Sequence, residues 1–250
     1  MLSNSRWHKK FFDPSFYNPA SPSAVEAAGP EAAFMARALG LKKGMKLLDL
    51  CCGPGRHSLE FSKRGMEVTG VDATPQYLAQ ARGLAKKRRL AVRFLKADMR
   101  RLRFNSEFDA AINAFSSFGY FSPEGDRRVL AGVFRALKPG GVFLLDMMDR
   151  AWLEKNFRPR SWEQLEDGSY RLFEDSCNPK TGVLTGAWTV LRRRAAPKTR
   201  GLRLNLYDER SLRALLRKAG FRPLKRWRAL SAKSGGANNR LVLLARKPGK

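Results

Sequence analysis

Residues 46–58 read Lys-Leu-Leu-Asp-Leu-Cys-Cys-Gly-Pro-Gly-Arg-His-Ser. A short apolar run carries an acid, Asp49, and leads into a turn that contains Gly53 and Gly55, after which a helical pattern begins. In an open α/β sheet, a strand that enters a glycine turn and then a helix places a ligand site outside the carboxyl end of the strand. Glycine lets the backbone approach that ligand without a Cβ atom in the way, and the first turn of the helix presents free N–H groups. The stretch therefore predicts an α/β fold with a binding site at one edge of the sheet.

Apolar strands and amphipathic helices continue to alternate downstream of this stretch. The predicted elements are strands at residues 45–50, 67–71, 91–96, 108–114 and 142–146, and helices at residues 56–64, 75–89 and 123–137. Thr74 and Pro75 fit the N-cap and first turn of the second helix. The Lys-Pro-Gly-Gly sequence at residues 138–141 predicts a turn after the third helix. Such alternation forms right-handed βαβ units around a parallel sheet.

The pattern changes after residue 149. Short alternating runs surround a hairpin-turn sequence at residues 178–182, which indicates antiparallel strands, and a helix and two strands follow at residues 209–219, 221–230 and 239–245. We therefore predict an α/β, Rossmann-like fold, with a seven-stranded, mostly parallel sheet, helices on both faces and a small antiparallel insertion after the fifth strand. The expected divisions are an aromatic N-terminal lid at residues 1–40, a binding core at 41–150, the insertion at 151–204, and the last helix and two strands at 205–250.

The chain is strongly basic. Its 250 residues carry a formal net charge of +27, with 25 basic and 14 acidic residues in the first 150 positions and 24 and 8 in the rest. Such a charge favours polyanions, namely RNA, anionic surfaces or phosphorylated substrates. The alternative is that arginine and lysine simply occupy solvated faces. The charge therefore indicates the class of partner without selecting one.

The cysteines and the hydropathy of the chain indicate in which cellular compartment the protein is expected. Of the three cysteines, Cys51 and Cys52 are adjacent and Cys177 is distant, which argues against a disulfide framework and favours a reducing, cytoplasmic location. We expect no transmembrane helix and no secretory signal, because the apolar runs are short. With two histidines and no Cys/His cluster, we also expect no metal site.

The acid at the first strand points to the kind of ligand. The dinucleotide fingerprint needs a third glycine, and Ser58 occupies that position here. A carboxylate at Asp49 would repel a pyrophosphate, whereas it suits a ligand that carries an ammonium group. S-adenosylmethionine (SAM) carries an ammonium, a carboxylate and a sulfonium, and it has no phosphate.

These residues resemble the class I SAM-dependent methyltransferases, and the small-molecule N- or O-methyltransferases among them in particular. The family's first motif is acid-x-Gly-x-Gly-x-Gly, and Asp49, Gly53 and Gly55 match it while Cys51 replaces the first glycine. The resemblance implies SAM as cofactor and the activity of a methyltransferase. It is strong over residues 44–146 and weak at both ends.

The resemblance also assigns roles to residues at the ends of later strands. It implies that Asp72, with Ala73 beside it, binds the ribose hydroxyls. It implies further that Asp98 binds the adenine amino group and that Met99 packs on the ring. A last group, Asn113 and Phe115, would line the methionine end. Arg56 is either a partner of the cofactor carboxylate or a solvated residue of a first helical turn.

No catalytic residue is universal in this chemistry, because the protein mainly positions and desolvates the reacting groups. The candidates by position are Tyr17, Tyr120 and His57. Aromatic rings favour a sulfonium cation and shape an acceptor pocket, although packing in the core or lid explains the two tyrosines equally well. His57 is more often a packed or capping residue than a base.

Three functions remain open from sequence. The first is transfer of a methyl group to nitrogen or oxygen of a small-molecule acceptor, which an anionic group on the acceptor would suit. The second is an RNA methyltransferase, supported by the basic stretch from Arg192 to Arg203. The third is a non-catalytic SAM- or nucleic-acid-binding protein on a methyltransferase scaffold. The oligomeric state stays open.

Overall fold

The computed structural model describes residues 7–230 and 239–249. A seven-stranded sheet forms the centre, in the order β10-β11-β5-β4-β1-β2-β3. Its strands are β1 (Lys46–Leu50), β2 (Glu67–Asp72), β3 (Val92–Lys96), β4 (Phe108–Asn113), β5 (Leu137–Met148), β10 (Arg222–Trp227) and β11 (Arg240–Arg246). The first five pair in parallel, whereas β11 is antiparallel to β5 and β10 is antiparallel to β11. The prediction of a Rossmann-like, mostly parallel sheet is confirmed.

Helices cover both faces of this sheet. They are α1 (Trp7–Phe11), α2 (Pro22–Leu39), α3 (Arg56–Lys63), α4 (Pro75–Lys87), α5 (Pro123–Ala136), α6 (Arg150–Asn156) and α7 (Glu209–Lys218), with a 3₁₀ turn at Met99–Arg101. Successive residues of a strand point to opposite faces. Accordingly Leu47 of β1 packs with Met35 of α2, while Leu48 packs with Leu130 of α5 and Leu216 of α7. Within the described residues, no helix combines the length and apolar character that a bilayer crossing needs.

One local prediction is confirmed in position and another differs from the structure. Thr74 is the N-cap residue of α4, but its side chain makes no capping hydrogen bond; its main-chain N–H instead donates to Asp72 Oδ1 at 2.7 Å. The expected turn at residues 138–141 lies inside β5. Pairing with β4 jumps from Leu137 to Val142, so these four residues bulge out of the ladder, with Gly140 at φ +77°.

A separate four-stranded antiparallel sheet follows β5. Its strands, in spatial order, are β6 (Arg160–Gln164), β7 (Tyr170–Asn178), β8 (Val183–Leu191) and β9 (Lys198–Asn205). The predicted hairpin turn is present, since the Gly182 N–H donates to the Asn178 carbonyl at 2.8 Å. The sequence did not reveal α6 or β6, because α6 buries no residue and β6 is exposed at every position.

The aromatic N-terminal segment packs back onto the protein. Phe11 and Phe16 are buried with Leu184, Val190 and Leu202 of the antiparallel sheet. Each aromatic ring that leaves water contributes on the order of 2 kcal/mol. This packing holds the segment over the carboxyl edge of the central sheet, where the predicted site lies.

Candidate active site

A cavity of about 690 Å³ opens at the carboxyl ends of β1 to β4. It brings together most of the residues predicted from sequence, namely Tyr17, Asp49, Cys51, Gly53, Arg56, His57, Asp72, Ala73, Asp98, Met99, Phe115 and Tyr120. Two predicted residues do not reach its wall. Gly55 instead lies close to Phe94, and Asn113 is fully buried, where its amide donates to the Leu50 and Ser117 carbonyls. Gly55 and Asn113 therefore pack behind the cavity wall and do not line it.

The turn that contains Gly53 and Gly55, here called the glycine bend, is hydrogen-bonded to the end of β2. The Gly53 N–H donates to Asp72 Oδ2 at 2.9 Å, while Asp72 Oδ1 accepts from the Thr74 N–H. Cys51, which stands where the resemblance expects a glycine, adopts φ +61°. A left-handed conformation costs a non-glycine residue on the order of 1–2 kcal/mol. The backbone at Cys51 thus adopts the left-handed conformation that a glycine at this position would adopt easily.

Two buried carboxylates flank this bend, Asp49 in β1 and Asp72 at the end of β2. Asp49 accepts a hydrogen bond from the Ser58 hydroxyl at 2.6 Å, and Asp72 holds the bend as described. Burial raises the pKa of both Asp49 and Asp72. A buried carboxylate favours a cationic or hydroxyl-bearing ligand, because such a partner replaces lost hydration.

Arg56, at the start of α3, is only 9% exposed. Its Nη1 donates to Glu31 Oε2 at 2.6 Å and to the Ala24 carbonyl at 2.9 Å. Its Nη2 is buried and has no hydrogen-bond partner within the described part of the chain. An unpaired guanidinium N–H at a cavity wall can donate a hydrogen bond to a carboxylate. Of the two alternatives for Arg56, the solvated residue is wrong, because α2 covers the side chain.

His57 shares the partner of Arg56. Its Nε2 lies 2.6 Å from Glu31 Oε2. Burial acts to raise the pKa of Glu31, but the hydrogen bond from His57 and the charge of Arg56 outweigh it, so this pKa is lowered. Glu31 was not anticipated from sequence, because nothing local marks it among the residues of α2. A catalytic role for His57 stays a prediction.

At the end of β3, Asp98 caps the 3₁₀ turn and pairs with Arg100. Arg100 Nε lies 3.0 Å from Oδ1, and Nη2 lies 2.5 Å from Oδ2. Partial burial acts to raise the pKa of Asp98, but the hydrogen bonds from Arg100 lower it. The guanidinium also stacks on Phe121, 4.1 Å from the ring centroid. Asp98 is therefore a charged acceptor at one end of the cavity.

Phe115 follows β4 and also lines the cavity. Phe115 and Ser116 both have positive φ, +62° and +59°. Arg56 and Arg240 lie 4.6 and 5.6 Å from the Phe115 ring centroid, and the ring stays 43% exposed. Two consecutive left-handed residues store strain that the surroundings must offset. Arg240 was not anticipated, because it lies 125 positions from Phe115 in the sequence.

The N-terminal segment forms a roof over the cavity, in which His8, Phe12 and Tyr17 take part. Phe12 packs against Tyr17 and Tyr120, with ring centroids 5.8 and 5.2 Å apart. Burial raises the pKa of both tyrosines, so each stays a neutral phenol at physiological pH. The part of the cavity wall formed by Phe12, Tyr17 and Tyr120 is therefore aromatic and carries no charge.

Comparison with known proteins identifies the core. A family model described as a methyltransferase domain matches residues 47–141. These residues are therefore similar to a methyltransferase domain. The carboxylates and the glycine bend described above all fall within it.

Two curated relatives match this part of the chain. The chain is 38% identical over 135 residues to the SAM-dependent Diels-Alderase iccD of Talaromyces variabilis, covering 51% of this chain and 45% of that protein. It is 35% identical over 122 residues to a glycine/sarcosine N-methyltransferase of Parasynechococcus marenigrum, covering 48% and 43%. The chain thus spans about half the length of the curated relatives it matches.

The fold extends beyond the matched domain. The SAM-bound amino pentose methyltransferase CalS10 of Micromonospora echinaspora superposes with a TM-score of 0.67 at 21% identity, covering 89% of this chain and 91% of that one. This likeness concerns the fold. Among the described residues of the methyltransferase domain and its flanks, no cluster of histidine, cysteine and acidic side chains could hold a metal ion.

Proposed function

We propose that this protein is an SAM-dependent methyltransferase that acts on nitrogen or oxygen of a small molecule. The observation that carries the proposal is the cavity itself: two buried acids beside a glycine bend, a third acid at one end, an unpaired arginine N–H and an aromatic roof. Relatives and structural neighbours with methyltransferase names support it.

The donor set fits SAM. Asp49 suits its ammonium group, and the uncommitted Nη2 of Arg56 suits its carboxylate. In this proposal Asp72 binds the ribose hydroxyls and Asp98 binds the adenine amino group. When bound, SAM supplies an electrophilic methyl group on a sulfonium. A cavity of about 690 Å³ is within the range of small-molecule sites.

The roof would prepare the acceptor. Phe12, Tyr17 and Tyr120 exclude water, which strengthens electrostatic interactions inside the site. The two phenols are neutral, so they orient an acceptor by hydrogen bonding and do not take its proton. An acceptor that enters already deprotonated needs no further base.

Calorimetric titration with S-adenosylhomocysteine tests cofactor binding. Loss of a hydrogen bond to a charged group costs roughly 1.5–3 kcal/mol, so Asp72→Ala should weaken binding about tenfold or more. Asp109→Ala is the matched control, because Asp109 pairs with Lys138 away from the cavity. If wild-type protein does not bind the probe, or Asp72→Ala binds it unchanged, this assignment is wrong.

Transfer itself is tested with SAM labelled at the methyl group. The protein is incubated with glycine, sarcosine, amino sugars and other small amines and phenols, and label is sought in the small-molecule fraction. Label in any of these acceptors supports the proposal. Binding without transfer to any acceptor class would favour a SAM-dependent protein of another activity, as the name of the Diels-Alderase relative illustrates.

RNA is a second candidate acceptor. Lys198 on β9 lies 3.3 Å from the Ser15 hydroxyl, and Lys198 and Arg200 act on the charge of Asp13, which lines the cavity. Basic side chains thus lie near Asp13, at one part of the cavity wall. If RNA is the substrate, label enters it from SAM and its affinity falls steeply as salt rises. Equal binding to heparin, without label in RNA, would remove this candidate.

A further inference from the structure

His8 of α1 lies at the end of the cavity that the proposed function assigns to adenine. Its ring meets Phe121 edge-on, with centroids 5.3 Å apart, and the charges of Asp98 and Arg100 act on it. His8, Asp98 and Phe121 all line the cavity. The N-terminal helix therefore brings an imidazole to the same end as the acid that follows β3.

One nitrogen of this imidazole is uncommitted. His8 Nδ1 is buried and has no hydrogen-bond partner among residues 7–230 and 239–249. Leaving a buried polar atom unpaired is costly. A ligand in the cavity that offers a donor would remove that cost.

Asp98 alone is poorly placed to satisfy an amino group. Oδ1 already accepts from the Arg100 N–H and Nε, at 2.9 and 3.0 Å. Oδ2 accepts from Nε and Nη2 of the same arginine, at 3.1 and 2.5 Å. Because Arg100 engages both oxygens, we expect Asp98 to accept one hydrogen of an amino group and not both, so the second hydrogen needs another acceptor.

We propose that His8 Nδ1 accepts a hydrogen bond from the adenine amino group and so determines specificity for adenine; this inference rests on the proposed function. Burial, and then the charge of Arg100, lower the pKa of His8. The ring is therefore neutral at physiological pH and has one acceptor nitrogen. His8 acts together with Asp98, each receiving one of the two amino hydrogens.

The test compares three variants by titration with S-adenosylhomocysteine and with its analogue in which hydrogen replaces the adenine amino group. His8→Phe keeps a ring against Phe121 but removes the nitrogen. His8→Asn places an acceptor near the position of Nδ1. Lys10→Ala, exposed on the same helix, is the control.

For S-adenosylhomocysteine, His8→Phe should weaken binding roughly three- to tenfold, the scale of one hydrogen bond, while His8→Asn and Lys10→Ala stay within about twofold of wild type. For the analogue without the amino group, wild type and His8→Phe should bind equally. If His8→Phe binds S-adenosylhomocysteine as tightly as wild type, or loses affinity equally for both ligands, the role of His8 is wrong. The proposed function still stands in that case, provided that the wild-type protein binds S-adenosylhomocysteine. If wild-type protein binds neither ligand, both proposals are wrong.

Discussion

Asp146 and Arg240 form a two-pronged ion pair, with Nε–Oδ1 at 2.7 Å and Nη2–Oδ2 at 2.5 Å. The pair joins β5 to β11, and Asp146 has no exposed surface. Asp146 Oδ2 also accepts from the Phe115 N–H at 2.7 Å. Arg240 Nη1 donates to the Ser116 hydroxyl at 3.1 Å. One ion pair therefore holds both left-handed residues of the loop after β4.

Removing the arginine should be costly. Arg240→Met leaves Asp146 as an uncompensated buried charge, and breaking a buried pair in this way costs about 3–5 kcal/mol. We expect the free energy of unfolding to fall by about 3 kcal/mol in a urea titration. The double variant Asp146→Asn with Arg240→Met should recover part of the loss, because no buried charge is left. A single variant as stable as wild type would show that the pair contributes little.

Cys51 offers a test of backbone strain. Glycine adopts a positive φ at little cost, so Cys51→Gly relieves strain while losing contacts with Met99. These effects oppose each other, and we expect a change in unfolding free energy below about 1 kcal/mol. Cys51→Val should destabilise by roughly 1–3 kcal/mol, because a β-branched residue tolerates this region poorly.

Thermal unfolding of the two variants side by side measures this difference. Both should keep binding S-adenosylhomocysteine if they fold, because the Gly53–Asp72 contact does not involve the Cys51 side chain. Equal stability of the two variants would contradict the role given to φ at this position.

The sheet and most of the cavity wall could be predicted from sequence because they rest on local patterns. Apolar strands that end in Asp49, Asp72 and Asp98 reach the same edge of any parallel sheet, so their proximity follows from topology. Contacts between distant segments could not be predicted in this way. Glu31 and Arg240 reach the site from α2 and from β11, and neither has a local signal.

Binding of the cofactor should depend on the ionisation of Asp72. Burial raises the pKa of this carboxyl, so it takes up a proton at a higher pH than an ordinary aspartate, near 4. Protonation removes an acceptor of ribose hydroxyls, so affinity for S-adenosylhomocysteine should fall as pH falls through the raised pKa. Titration calorimetry from pH 7.5 to 4.5 at constant ionic strength measures it. Asp72→Asn should bind more weakly at pH 7.5 and lose affinity less steeply, the rest of the slope coming from Asp49.

Asp126 gives a prediction about stability away from the site. It lies in the first turn of α5 without exposed surface, and Oδ2 accepts from Asn205 Nδ2 and from the Tyr207 hydroxyl, both at 2.8 Å. Burial raises the pKa of Asp126. Above pH 4 the unfolded chain has lost this proton while the folded protein keeps it, so folding takes up a proton. Its contribution to stability is therefore present at low pH and is lost as pH rises through the folded-state pKa.

Asp126→Asn abolishes this titration, so the unfolding free energy of the variant relative to wild type should rise between about pH 4 and pH 7. Urea titrations at several pH values measure that difference. Asp208→Asn serves as a control of opposite sign, because hydrogen bonds from Ser211 lower the pKa of Asp208 at the N-cap of α7. The Asp208 carboxylate stabilises the fold above pH 4, and this stabilisation is lost as pH falls. The unfolding free energy of Asp208→Asn relative to wild type should therefore decrease as pH rises through the acid range. If the unfolding free energies of the two variants, relative to wild type, change with pH in the same direction, the opposite pKa shifts given to Asp126 and Asp208 are wrong.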